Sequence, residues 1–303
     1  MLFVTFRTAG GAVEPGIVRD GKVIGLSFAG FADLIGIIRH GEQARAAVES
    51  AASNPPADSV HDVSDVRLLA PIPRPPKFIC VGLNYRDHAR EARMEIPKVP
   101  TIFCKFPTCV IGPGEPIVLP GNSAKPDYEA EFAFVVGKGG RHIPRESWRE
   151  HVFGYTNAND VSARDFQMAT TQWIMGKTFD TFGPIGPYLV SADEISDPHA
   201  LDISMTINGE RLQHSNTREL IFRIPELIEY LSSVFTLEPG DVVATGTPAG
   251  VGFAHKPPRW LRDGDDVVVR IEGLGELRNP VIAEKRIQTE RHEGLRYLSK
   301  PER

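Results

Sequence analysis

The chain has 303 residues, 41% hydrophobic and 24% charged, with a formal net charge of −5. That length suits one large domain, or one with a small companion, in a globular protein of ordinary composition. The acidic balance excludes the basic footprint of a nucleic-acid binder and offers no attraction to anionic membranes. No run of about 18 apolar residues is present to span a bilayer. The opening residues, Met1-Leu-Phe-Val-Thr-Phe-Arg7, lack the basic leader and apolar run of a signal peptide. Three cysteines, Cys80, Cys104 and Cys109, with no CxxC pair, argue against a disulfide framework or a zinc site. A cytoplasmic location is the resulting expectation.

Along the chain, residues 1–72 read as a small α+β unit. Phe3–Phe6 and Glu14–Leu26 have strand character, with Asp20-Gly21 as a hairpin turn, and Phe31–Ala52 carries apolar residues at helical spacing. The connector Ala70-Pro-Ile-Pro-Arg-Pro-Pro76 excludes helix, so residues 73–303 are expected to form a second, larger domain. There Lys77–Val81 reads as a buried strand and Asn84–Met94 as a polar helix started by Asn84 and stopped before Pro97. Short strands follow at Thr101–Phe106, Pro116–Leu119, Glu129–Val136, Gly183–Val190, Asp202–Asn208, Asp241–Thr245 and Asp265–Ile271, with one amphipathic helix over Thr217–Phe235. The 28 glycines and 25 prolines fit this turn-rich pattern. The expected class is mainly β with some α, antiparallel or mixed, not a doubly wound sheet. The charged tail beyond Lys285 is expected to be peripheral.

The segment Asp127-Tyr-Glu-Ala-Glu-Phe-Ala-Phe-Val-Val136 carries the most chemistry. Alternation puts Tyr128, Ala130, Phe132, Phe134 and Val136 on one face and Glu129 and Glu131 on the other, roughly 6–7 Å apart. An E-x-E pair alone is more often a solvated strand face. Asp160, at the end of a second apolar strand, supplies a third carboxylate, and three oxygen ligands without Cys or His favour Mg²⁺ or Mn²⁺ over Zn²⁺. His88 and Glu91 lie three apart on the polar helix, where a carboxylate fixes an imidazole tautomer and suits it to act as a general base; an incidental surface pair has the same spacing. Gly82 and Asn84 just before them would make this segment mobile. Lys177, in Gly176-Lys-Thr-Phe-Asp180, offers a positive charge to an oxyanion, although a lone lysine is more often solvated. Arg164 and Gln167 share a helical face and suit either substrate oxygens or packing. The run Thr245-Gly-Thr-Pro-Ala-Gly-Val-Gly252 matches neither nucleotide-binding glycine pattern, but its amides are able to bind an anionic group.

Together these motifs resemble the fumarylacetoacetate hydrolase family, from about Lys77 to about Glu284: Gly82-Leu-Asn-Tyr-x-x-His88-x-x-Glu91, Tyr128-Glu-Ala-Glu131, Asn159-Asp-Val-Ser-Ala-Arg-Asp165, Gly176-Lys-Thr-Phe-Asp180 and Gly240–Gly250, in that order. The resemblance implies a mixed β-sandwich roll, a homodimer, and a Mg²⁺ or Mn²⁺ site (Ca²⁺ is possible in crystals) on Glu129, Glu131 and Asp160. It makes His88 and Glu91 a catalytic dyad on a lid helix, Lys177 the active-site lysine, and Arg164, Gln167 and Thr247 substrate contacts. The closer likeness is to the smaller bacterial members and their mitochondrial relatives. Hydrolysis of a C–C bond in an acylpyruvate-type 2,4-dioxo acid is the leading expectation. Oxaloacetate decarboxylation and isomerisation or hydration of a muconate-type diacid are the enzymatic alternatives, and a non-catalytic binding protein is the alternative from another class. The expected partner is a small anionic oxo acid, with no nucleic acid or membrane.

Overall fold

The computed structural model describes residues 1–285, so the charged tail lies outside the described residues. A 12-stranded mixed sheet forms the body. Its path runs through Val60–Asp62, Lys22–Gly25, Val13–Arg19, Leu2–Arg7, Gly183–Ser191, Val152–Asn159, Ala130–Val136, Val242–Ala244, Phe78–Gly82 and Thr101–Lys105. A second sheet of five strands comprises Glu210–Asn216, Asp202–Ile207, Asp266–Ile271, Glu276–Ala283 and Ile117–Leu119. Val242–Ala244 runs parallel to Phe78–Gly82, while most other pairs are antiparallel. The first strand pairs with Gly183–Ser191 (Leu2 opposite Val190), so hydrogen bonding continues across the boundary expected near residue 72.

The Ala130–Val136 strand shows why the body closes as it does. Phe132, Phe134 and Val136 pack into one core with Ile203, Met205, Val267 and Val269 of the second sheet. Ala133 and Val135 face the opposite core, with Leu34, Ile37 and Val48 of the Leu34–Ser53 helix. A strand covered on both faces is apolar on both, as in this run. Phe132 and Phe134 are fully buried, each contributing roughly 1.5–3 kcal/mol of burial free energy.

Local signals explain the remaining elements. Asp20 and Gly21 both take positive φ (50° and 74°), the pairing of a tight two-residue hairpin between Arg19 and Lys22. Asp33 caps the Leu34–Ser53 helix through the Gly36 amide, and Gly41 (φ 53°, ψ −127°) breaks it into two stretches. The expected Thr217–Phe235 helix is shorter: a 3₁₀ turn at Thr217–Glu219 precedes a helix at Ile224–Val234. Pro225 has no amide hydrogen and tolerates only the first turn, so the helix begins there. The Ile221 and Phe222 amides upstream are claimed by Asn84.

Candidate active site

Strand register brings the three acidic residues together. Ala130 pairs with Asn159, and the Asp160 amide donates to the Glu129 carbonyl at 2.9 Å. The end of one strand thus lies beside the start of its neighbour. Glu129, Glu131 and Asp160 are all buried, and their ligand oxygens lie within 4.8 Å of one another.

Their charges are unevenly matched. Lys177 Nζ donates to Glu129 Oε2 and Asp160 Oδ2, both at 2.6 Å. Arg164 Nη2 donates to Glu129 Oε1 at 2.6 Å and its Nε to Asp127 Oδ2 at 2.8 Å. Lys105 Nζ lies 2.5 Å from Asp160 Oδ1. Among the described residues, Glu131 receives only the Gly246 amide, at 2.9 Å. Burial opposes ionisation of Glu129, but Arg164 and Lys177 overcome it and hold its pKa at about 2. Burial pushes Glu131 well above the usual carboxylate range, and Asp160 and Glu129 push it further. Burial disfavours the Lys177 ammonium, yet Asp160 and Glu129 outweigh that and raise its pKa. Four carboxylates, counting Asp127, therefore face three cations, and the deficit falls on Glu131. An all-oxygen donor set with excess negative charge fits a hard divalent cation.

The glycine run frames this cluster. Gly246 donates to Glu131, Gly250 to Glu91 Oε1 at 2.9 Å, and Gly252 to Asp127 Oδ1 at 2.7 Å. Its amides do bind anions, and the anions are the protein's own carboxylates. Gly246 sits at φ +98°, and a Cβ there would lie 2.8 Å from the Asn84 Cβ, so only glycine fits.

His88 Nδ1 meets Glu91 Oε2 at 3.1 Å on the Arg86–Ala92 helix, with the imidazole almost fully buried. His88, Glu129, Glu131, Arg164, Gln167, Lys177 and Thr247 line one cavity of about 210 Å³, walled by Phe103, Trp173 and Phe253. Glu91 and Asp160 stand behind these residues, reached through their hydrogen bonds. Arg164 and Gln167 bond to each other (Nη1 to Oε1, 2.8 Å).

Lys177 is 2% exposed and clamped by two carboxylates, so the solvated alternative falls away. Two expectations are corrected. Asn84 does not start the helix, which Tyr85 precedes; buried, it bonds Phe222 and the Thr245 carbonyl and ties the segment down. Gly82 admits the Trp173 ring, which a Cβ would meet at 2.3 Å, so its role here is close packing. Sequence reading also missed Lys105, Asp127 and Gln213, all buried at the site. Lys105 ends an apolar strand, and that one signal was legible.

The fumarylacetoacetate (FAA) hydrolase C-terminal family model matches residues 77–282. A mitochondrial oxaloacetate tautomerase of Xenopus laevis is 51% identical over 221 residues, 72% of this chain and 69% of the relative. The maleylpyruvate hydrolase of Sphingobium sp. SYK-6, solved with manganese(II) and pyruvate, superposes at TM-score 0.80 with 32% identity, covering 94% of this chain and all of the other. A 2-hydroxyhepta-2,4-diene-1,7-dioate isomerase of Mycobacterium marinum gives 0.76 and 32%, with the same coverage. The tautomerase and its bovine and human counterparts are mitochondrial, which overturns the cytoplasmic expectation; composition and the first residues carry too little information to set a compartment. With the motifs, the fold and these likenesses in agreement, the chain belongs to the fumarylacetoacetate hydrolase family.

Proposed function

We propose that this protein interconverts the keto and enol forms of a short 2-oxo diacid, with oxaloacetate the foremost candidate. The observation that carries the reading is one small cavity lined by a carboxylate-paired imidazole, a buried ammonium and Glu129 and Glu131, with Asp160 directly behind them. Its volume of about 210 Å³ lies below the roughly 300–1,000 Å³ of a drug-sized ligand site, which favours a small substrate. The 51% identity to an oxaloacetate tautomerase supports proton transfer over bond cleavage.

Glu129, Glu131 and Asp160 would hold a divalent ion, Mg²⁺ or Mn²⁺, which supplies Lewis-acid polarisation of a 2-oxo acid's oxygens. Glu91 accepts from His88 Nδ1, which leaves Nε2 as the basic nitrogen toward the cavity. His88 takes a proton from C3 of the keto acid, and the positive charge of Lys177 holds the enolate. The imidazolium then returns the proton to the enolate oxygen. One proton moves, and no water or CO₂ enters the balance. Phe103, Trp173 and Phe253 keep water from the carbanion.

A second reading, hydrolysis of an acylpyruvate, is favoured by the hydrolase solved with manganese(II) and pyruvate. The two separate in one assay. Enol-oxaloacetate is mixed with protein and Mn²⁺, ketonisation is followed by its ultraviolet absorbance, and pyruvate release is measured in parallel from oxaloacetate and from an acylpyruvate. Accelerated ketonisation without pyruvate is the expected result. Pyruvate from the acylpyruvate with ketonisation at the solvent rate would replace the proposal with the hydrolytic reading.

A further inference from the structure

We propose that Gln213 is a positioning residue that turns the Thr247 hydroxyl into an obligate hydrogen-bond donor facing the substrate. Gln213 sits on the Glu210–Asn216 strand of the five-stranded sheet, far in sequence from the motifs of the site, and is 1% exposed. Its Oε1 accepts from the Ala130 amide at 2.9 Å. Its Nε2 donates to Thr247 Oγ1 at 2.8 Å and to the Pro248 carbonyl at 2.9 Å.

The orientation of this amide is chemically forced. An amide N–H only donates and a carbonyl only accepts, so reversing the side chain would set like groups against both Ala130 and Pro248. Thr247 Oγ1 must therefore accept from Gln213. A hydroxyl that accepts in this way keeps its proton for another partner, and among the described residues the Thr247 hydroxyl donates to no protein acceptor. Thr247 is buried and lines the cavity with Glu129 and Glu131. A donor left over in such a cavity fits a carboxylate or enolate oxygen of the ligand.

The other end of Gln213 holds the peptide between the two glutamates, since Ala130 is the residue that separates them. The second sheet thus sets a substrate contact and the acidic pair through one side chain. This inference rests on the oxo-acid reading for the nature of the ligand, but not on which reaction follows binding.

Oxalate, a planar dianion resembling a 2-oxo acid enolate, serves as the probe, titrated calorimetrically into the Mn²⁺-loaded full chain. Hydrogen bonds to charged groups are worth about 1.5–3 kcal/mol, so Thr247→Val should weaken oxalate roughly 10- to 100-fold, while Thr247→Ser stays within about threefold of the parent. In Gln213→Glu an acceptor replaces the donor, and the Thr247 proton is drawn away from the cavity; a loss close to that of Thr247→Val is expected. The double variant should bind no worse than Thr247→Val alone, because one residue acts through the other. Additive losses, or a Gln213→Glu variant that binds like the parent, would overturn the assignment. Should Gln213→Glu fail to fold, Thr247→Val binding oxalate like the parent overturns it equally. A parent protein that binds oxalate but leaves enol-oxaloacetate untouched would sink the tautomerase reading while leaving this coupling measurable.

Discussion

A cavity beside the Leu34–Ser53 helix and the cavity of the candidate site differ in how they expose charge. The larger, about 600 Å³, lies between the Leu34–Ser53 helix and the main sheet. Its ions are wet: Arg45 pairs with Asp193 with side chains 40% and 46% exposed, Lys138 pairs with Glu150 with both more than half exposed, and Arg39, Glu42 and Arg149 are exposed and form no ion pair among the described residues. The smaller, about 210 Å³, buries its ions and leaves them one positive charge short. Exposed pairs contribute little to stability and ask nothing of a ligand. Buried, unbalanced carboxylates are costly to keep unless they bind something. Burial of the charges, more than volume, is what sets the candidate site apart.

The comparison sharpens first at His88. His88→Ala should lower turnover by about 10²–10⁴-fold, the range of general base catalysis, with Mn²⁺ affinity retained by calorimetry. Undiminished turnover would remove the dyad from the mechanism. Next in size, Lys177→Met leaves Glu129 and Asp160 without the ammonium that clamps both. Metal-free stability in denaturant should fall by about 3–5 kcal/mol, and Mn²⁺ should restore much of it, since an ion that binds only the folded state raises apparent stability. No rescue by Mn²⁺ would mean that the cluster is purely structural.

Glu131→Gln separates stability from function. Removing the uncompensated charge should leave the metal-free fold as stable as the parent or more so. Mn²⁺ affinity should fall by more than the roughly 10- to 100-fold typical of losing a partner behind the ligands. The same residue sets a pH dependence. Glu131 has a raised folded pKa, so the stability its protonated form lends is full below the ordinary value of about 4.3 and is lost as pH rises through the raised one. Glu129, at about 2, works the other way: its contribution is present above about 4.3 and disappears as pH falls toward 2. A divalent ion must displace the Glu131 proton, so the thermal shift on adding Mn²⁺ should grow with pH in the parent and much less in Glu131→Gln. A shift independent of pH in the parent would contradict the assignment. The smallest effect belongs to the large cavity: Arg45→Ala should cost under about 1 kcal/mol and leave turnover unchanged, and a large loss of activity there would break the comparison.

The placement of several candidate side chains was legible from local rules, although only the family resemblance favoured a site over a solvated face. Alternation along Tyr128–Val136 aligned the two glutamates, and a strand end marked Asp160. Spacing of three on a helix paired His88 with Glu91. What was not legible comes from non-local contacts. Lys105, Asp127 and Gln213 gain their roles from partners brought in by sheet register, which no window of sequence displays. Lys177 looked like a solvated lysine because its two carboxylates lie on other segments. The shortened Ile224–Val234 helix follows from Pro225 and from Asn84, 138 residues away in sequence, capturing the Phe222 amide. Composition, in turn, could not set the compartment.

Anomalous scattering from a manganese-soaked crystal tests the central claim most directly. The strongest peak is expected among the side chains of Glu129, Glu131 and Asp160, with the Lys177 ammonium moved away from at least one of its two carboxylates. A crystal soaked at neutral pH with no peak there, and with Lys177 still bridging Glu129 and Asp160, would contradict it.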